Sequence, residues 1–323
     1  MSPSHSLENF TMSVSISVVV PTHNPNPDRL QRTLSGLRSQ SLPISDWELL
    51  IVDNASDCFT EIELGWHPNG RTIREEELGL TRARIAGIQA SQGQYIIFVD
   101  DDNVLEANYL KHILEIFQAN PALGAIGGKS LPKFEVEPEP WVKAFWGCLA
   151  LRDLGDIEQL YFYDPKTGGD KQHPVFAPIG AGMALQRSTA ELYVQTILTD
   201  PTRLALDRTG RSLQSGGDCD INLTLITAGW GVGYFPQLQL THLISANRVT
   251  KPYLARLNRS IARSWIQVLD THQIRPWQKI PRWSVLPRQL KALITYQPWK
   301  SPIDYIRWQG ACGAFEGQST LPD

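Results

Sequence analysis

Three times between Val14 and Gly128 a short apolar run ends in amide or carboxylate side chains. Val14, Ile16, Val18, Val19 and Val20 lead into the breaker-rich Pro21, Thr22, His23 and Asn24; Trp47 to Val52 leads into Asp53 and Asn54; Ile96 to Val99 leads into Asp100, Asp101, Asp102 and Asn103. Helical spacing separates the runs. Leu30, Leu34 and Leu37 follow Asp28, which would cap that helix, and Ile85 and Ile88 fall inside a helix expected from about Thr81 to Ala90. A third helical pattern, Tyr109, Leu110, Ile113, Leu114 and Phe117, precedes a short strand, Ala125 to Gly128. Runs without a polar alternate read as strands buried on both faces. Strand and helix in alternation predict right-handed βαβ units, hence a mainly parallel sheet with helices on both faces. In such a sheet the carboxyl ends of the strands line one edge, so the three polar clusters are expected to meet in one crevice.

The third cluster carries the strongest chemical signal. Adjacent carboxylates repel one another, and no ordinary strand end needs three of them. Mg²⁺ or Mn²⁺ would relieve the crowding, because hard cations take oxygen ligands and share one or two carboxylates with substrate phosphates. An acidic loop that opens the next helix is the plainer alternative.

Composition is that of an ordinary globular chain: 323 residues, 42% hydrophobic and 20% charged. Cys58, Cys148, Cys219 and Cys312 are scattered without a C-x-x-C pair, which suits free thiols better than a zinc site. No apolar run reaches spanning length and no signal-peptide layout is present, so a cytoplasmic protein is expected. The net charge of −3 conceals an asymmetry. Residues 251–310 hold eleven Lys and Arg against two acids, a net charge of +9, together with Trp265, Trp277, Trp283, Trp299 and Trp308. Such a stretch suits either docking on its own acidic domain or an anionic membrane surface; no nucleic-acid partner is expected. Three regions follow: a flexible leader over 1–13 with Met12 as an alternative start, a main domain over 14–250, and a basic, Trp-rich helical extension over 251–323.

Within the main domain, residues 129–175 are turn-rich and read as an inserted lid or acceptor loop. Val175 to Leu185 reads as a strand whose Gly180 and Gly182 mark close approach of a ligand or another backbone. Gly216, Gly217, Asp218, Cys219 and Asp220 open a helix, and Gly231 to Phe235 and Gln239 to Ile244 read as two further strands. Asp218 alone would be an N-cap, and His242 alone a core histidine.

Taken in order, these motifs resemble family 2 glycosyltransferases of the GT-A fold, over about residues 14–250. Ser17 to Asn24 is similar to the first strand and turn, which implies nucleotide-sugar contacts from Pro21, Thr22 and Asn24. Val52 to Asp57 resembles the strand-end acidic motif and implies that Asp53 reads the nucleobase. Leu78 to Arg84 resembles the glycine–arginine segment beside the nucleotide, with Arg84 the better match. Asp100, Asp101 and Asp102 resemble the D-x-D motif, with Asp100 near the ribose, Asp101 in the donor site and Asp102 on the metal; a register from Asp101 to Asn103 is the alternative. Gly216, Gly217 and Asp218 match a Gly-Glu-Asp element in which Gly217 replaces the glutamate and Asp218 survives as the general base. Asp220, with Gly180, Gly182 and Gly217, is assigned to the acceptor or sugar pocket, His242 to the metal and Arg248 to the diphosphate.

The resemblance implies a GT-A-type, Rossmann-like mixed sheet with a C-terminal helical extension. It implies an inverting transfer from a nucleotide-diphosphate-sugar, with uridine as the default base, to a glycan or lipid-linked acceptor, assisted by Mn²⁺ or Mg²⁺ at the inner face of a membrane. Physically, such a transfer needs a carboxylate to deprotonate the acceptor and positive charge on the leaving diphosphate. A sugar-1-phosphate nucleotidyltransferase would want a Gly-rich loop after the first strand, where Pro21 to Pro25 stands instead. A catalytically silent nucleotide-sugar-binding or scaffold protein is the third reading, kept by the Gly217 departure.

Overall fold

The computed structural model describes residues 14–58, 62–164, 166, 170–210 and 212–322; the leader, with Met12, lies outside the described residues. The chain lays down β1 (Ile16–Thr22), α1 (Pro27–Arg38), β2 (Trp47–Asn54), β3 (Gly70–Glu75), α2 (Leu80–Ala90), β4 (Tyr95–Phe98), β5 (Asn103–Leu105) and α3 (Tyr109–Ala119). Next come β6 (Leu123–Phe134), β7 (Gln159–Tyr161), β8 (Ala184–Gln186), α4 (Arg187–Thr199), α5 (Gly217–Thr227) and β9 (Gly231–Ile244). Three helices end it: α6 (Lys251–Thr271), α7 (Val285–Tyr296) and α8 (Pro302–Ser319).

The strands form one sheet in the order β3-β2-β1-β4-β8-β6-β9-β5, with β7 also on β9. Strands β3, β2, β1 and β4 are parallel; β8 runs against β4 and β6, and β5 runs against β9. This is the mixed, mainly parallel sheet that the GT-A resemblance implied. Every residue of β1, β2 and β4 is buried, as uninterrupted apolar runs require. Alternate residues then serve opposite faces. Ile16, Val18 and Val20 pack under α1 and α3, while Val19, Val52 and Phe98 pack under α2, α4 and α5.

Several elements differ from the sequence reading. Asn26, not Asp28, caps α1, accepting from the Arg29 N–H, and Pro27 takes the first turn, where no N–H is missed. The segment Val175–Leu185 is strand only from Ala184; Gly180 and Gly182 lie in the preceding turn, and Gly182 holds φ of +76°. The two expected late strands are one, β9, which pairs with β6 on both sides of an irregular stretch. Strand β6 itself runs on to Phe134. The turn-rich region 129–175 then carries a 3₁₀ segment, Pro140–Leu149, and the short β7. Strand β3, with one apolar residue in six, and α4 carried too little pattern to be read.

The C-terminal helices share a core with that 3₁₀ segment: Leu254, Leu257 and Ile306 pack with Val142, Phe145 and Leu149. Helix α6 also meets α5 through Val268, Leu269 and Leu223. Among the described residues no helix is long and apolar enough to cross a membrane.

Candidate active site

The carboxyl ends of β1, β2 and β4 do converge. A cleft of about 300 Å³ is lined there by Pro21, Thr22, His23, Asn54, Arg84, Asp100, Asp101 and Asp102, and from later elements by Gly180, Asp207, Arg208, Asp218, His242 and Arg248. Ten of the residues singled out from sequence therefore share one cavity: Pro21, Thr22, Arg84, Asp100, Asp101, Asp102, Gly180, Asp218, His242 and Arg248.

The acidic run divides its labour. Asp101 accepts a 2.6 Å hydrogen bond from the Thr22 hydroxyl. Burial first, and then the neighbouring Asp102, push the Asp101 carboxyl up to about 7 against that hydrogen bond. Asp102 turns towards β9, because β5 lies antiparallel on it with Asn103 opposite His242, and the Leu243 N–H binds the Asp102 carbonyl at 2.8 Å. One Asp102 oxygen lies 3.2 Å from His242 Nε2 and the other accepts from Arg248 at 3.0 Å. Burial alone would raise the Asp102 pKa; His242, Arg248 and Arg208 outweigh it and hold the carboxyl well below the usual range.

Among the described residues no cluster of three or more His, Cys, Asp or Glu side chains forms a ready-made metal site. Asp102 and His242 nonetheless offer an oxygen and a nitrogen donor on one cleft wall. The buried Nδ1 of His242 has no hydrogen-bond partner, while Nε2 lies 3.2 Å from Arg248 as well as from Asp102. A cation shared with substrate phosphates usually takes only one or two protein carboxylates.

Asp218 also lines the cleft, from the first turn of α5. The N-cap is Gly216, so Asp218 does not cap the helix. Its oxygens accept from the Gly180 N–H at 3.1 Å and the Cys219 N–H at 2.8 Å. One contact is local and the other comes from the turn before β8; together they orient the carboxylate while the group lines the cleft.

Arg84 is almost wholly buried, reaches Asp207 at 3.3 Å and stacks its guanidinium over the Phe98 ring at 5.3 Å. Any side chain at Gly180 would meet the Arg84 guanidinium at 2.4 Å, which accounts for that glycine by crowding as well as by exposure to the cleft. Arg82, by contrast, pairs with Glu77 at the surface.

Five expected site residues do not line the cleft. Asp53 sits opposite Arg74 in the β2–β3 register and is ion-paired to it; strand alternation gives the cleft to Asn54 instead. Asn54 is held by bonds to the Glu77 carbonyl at 2.8 Å and from the Gly79 N–H at 2.7 Å. Asn24, at φ of +47°, clamps Asp57 by two hydrogen bonds of 2.9 Å and so shapes the loop. Gly182 makes room for the Tyr109 hydroxyl, which a Cβ there would approach to 2.5 Å. Asp220 is fully buried among Arg203, His272 and Tyr193, and therefore cannot meet an acceptor.

Gly217 is the most instructive of the five. A Cβ at that position would lie 2.2 Å from Asp207 Oδ2. A carboxylate from a different segment thus fills the space beside Asp218 into which a side chain at 217 would project. Asp207 is buried, lines the cleft and contacts Arg84 and Thr81; burial pushes its carboxyl up while Arg84 opposes this. Sequence reasoning missed Asp207 and Arg208; it placed His23 and Asn54 in the strand-end clusters but gave neither a role. Asn54 stood one position from a residue that was chosen, but Asp207 and Arg208 sit in an irregular segment with no pattern to mark them.

A mainly parallel sheet whose carboxyl edge gathers acids, arginines and histidines is an α/β fold with its crevice where such sheets carry their ligand sites. Residues 17–192, more than half of the chain, match the family model described as Glycosyl transferase family 2, and the chain belongs to that family. It is similar to protein y4gI of Sinorhizobium fredii, 32% identical over 33% of this chain and 12% of that one. It is also similar to the poly(ribitol-phosphate) beta-N-acetylglucosaminyltransferase TarP of Staphylococcus aureus, 28% identical over 36% and 39% of the two chains. Glycosyltransferase AglE of Haloferax volcanii is 32% identical over 27% and 30%. The matches thus cover 12 to 39% of these relatives' own lengths. A crystal structure of S. aureus TarS aligns over 92% of this chain and 55% of its own, at 13% identity and a TM-score of 0.48.

Proposed function

We propose that this protein is an inverting glycosyltransferase that moves a sugar from a nucleotide-diphosphate donor, a UDP-sugar by default, to a glycan or lipid-linked acceptor. One observation carries the reading: Asp218 and the Asp102–His242–Arg248 group open onto the same cleft from different elements. Inverting transfer needs that separation, with one carboxylate to take the acceptor proton and positive charge elsewhere to receive the departing diphosphate. Asp218 is the general base. Its Gly180 and Cys219 hydrogen bonds hold it in place.

Thr22, Asn54 and Asp100 lie where β1, β2 and β4 end and form the donor wall; Arg84, Arg208 and Arg248 supply cationic charge to it. Asp102 and His242 would hold a divalent cation, which when bound contributes charge for the diphosphate. Arg248, which donates to Asp102 in the same cleft, would add positive charge for the phosphates. The similarity to TarP and AglE, both glycosyltransferases by name, supports the class. With a lipid-linked acceptor the transfer would take place at the inner face of a membrane.

The test is a panel of nucleotide-sugars with Mn²⁺, followed by nucleotide diphosphate release. We expect release with one donor class, and loss of metal-dependent donor binding in Asp102→Ala. Tight binding of a donor without release, in the presence of candidate acceptors, would instead identify a silent binding protein.

A further inference from the structure

The basic, Trp-rich extension separates into two surfaces. Helices α6 and α8 turn their apolar residues inward, onto Val142, Phe145 and Leu149. Helix α7 does not. It rests on the molecule through Ala292, and through its neighbour α8, whose Trp308 donates to the Gln289 carbonyl at 3.2 Å and whose Glu316 accepts from the Gln289 side chain at 3.2 Å. Leu286, Leu290 and Ile294, spaced one turn apart, point away from it and are 63%, 54% and 71% exposed. Trp283 just before the helix and Trp299 just after it are 79% and 68% exposed. An aliphatic crest with an indole at each end is a patch that soluble surfaces rarely leave bare.

Charge decides what covers it. Arg282, Lys291 and Lys300 are exposed beside the crest, and Arg288 is exposed on another side of the same helix. The acids of this part of the chain already have partners: Asp270 with Arg275, Asp304 with Ser301, and Glu316 with Arg259 and Gln289. The crest therefore sits in a cation-rich setting, within residues 251–310 of net charge +9. Protein interfaces deplete lysine at an apolar core, whereas interfacial membrane helices combine an apolar face, Trp at headgroup depth and flanking cations. Being already folded against α8, the helix loses little conformational freedom on contact.

We infer that α7, with Trp283 and Trp299, is the face by which this protein lies on an anionic lipid bilayer. The helix inserts its crest to headgroup depth without crossing, and the surrounding Arg and Lys side chains meet lipid phosphates. The inference stands on α7 alone and does not require the transferase reading.

The test is co-sedimentation of the full chain with phosphatidylcholine vesicles, with and without phosphatidylglycerol. We expect binding to the phosphatidylglycerol vesicles that weakens as salt rises, weak binding to phosphatidylcholine alone, and a blue shift of Trp fluorescence on binding. The double variant Leu290→Glu/Ile294→Glu should partition about tenfold less or worse, since each substitution removes a buried aliphatic contact. Arg288→Glu/Lys291→Glu should weaken binding and flatten its salt dependence. All four positions are exposed, so both variants should melt as the wild type does and release nucleotide diphosphate at its rate. Absence of wild-type binding, or binding indifferent to the double variant, overturns the proposal. So does a wild-type dimer that Leu290→Glu/Ile294→Glu dissolves, which would give the crest to a second copy. Vesicle binding by a protein that transfers no sugar would leave this proposal intact and remove only the reading of the cleft.

Discussion

Asp218 and Asp220 stand two residues apart on α5 and live in opposite worlds. Asp218 faces the cleft, held by two backbone N–H groups. Asp220 faces the interior, with no exposed surface, and binds Arg203, His272 and Tyr193. Two helical steps are about 200°, so neighbouring acids on one helix are sent to opposite sides. Arg203 belongs to the 3₁₀ segment Pro201–Leu206, and His272 ends α6. Asp220 thus ties the helix that carries the proposed base to the C-terminal extension, while Asp218 is left free to act. The same residue type is open to chemistry where it meets the cleft and serves cohesion where it meets a buried arginine.

The largest effect expected from breaking this comparison is on rate. Asp218→Asn should lower turnover by roughly 10²–10⁴ while donor affinity, read by titration calorimetry, stays within a few-fold of wild type. Wild-type turnover in that variant would remove the base assignment. Asp220→Ala should act on stability instead, lowering it by about 3–5 kcal/mol in denaturant titration, because Arg203 keeps its buried charge without a partner.

A smaller effect is expected at the contact that joins the two environments. Gly217→Ala would push a methyl into Asp207 and should cost about 1–3 kcal/mol by overpacking. Adding Asp207→Gly should recover part of that loss in the melting temperature yet impair donor binding, since Arg84 then loses its carboxylate.

The smallest concerns pH. Burial lowers His67, packed edge-on against Trp47, from 6.5 to about 4, against the pull of Glu48. A histidine kept neutral in the fold favours the folded state above pH 6.5, and the advantage is lost as pH falls towards about 4. Denaturation midpoints measured across that window should fall with acid, and His67→Phe should flatten the slope.

Much of this architecture is written in local pattern. The uninterrupted apolar runs of β1, β2 and β4 and the helical spacing of α1, α2 and α3 suffice for a parallel α/β sheet, and the polar residues after each strand point to its carboxyl edge. Periodicity of this kind needs no partner to be read, because it reflects which side of each element is buried. Strand β3 lay beyond such reading, since an edge strand with exposed residues carries little apolar signal.

The sequence by itself determined the family, the edge of the sheet where the cleft lies, and the acids Asp101, Asp102 and Asp218 that reach it. Tertiary structure decided which of two adjacent strand-end residues enters the cleft, giving Asn54 the place expected of Asp53. It also brought Asp207 into the space beside Gly217, sealed Asp220 under Arg203, and left the crest of α7 bare. The division has one physical cause. Burial of an element's face repeats along the chain and leaves a period, whereas a contact between side chains from distant segments depends on how whole elements dock, and docking leaves no local trace.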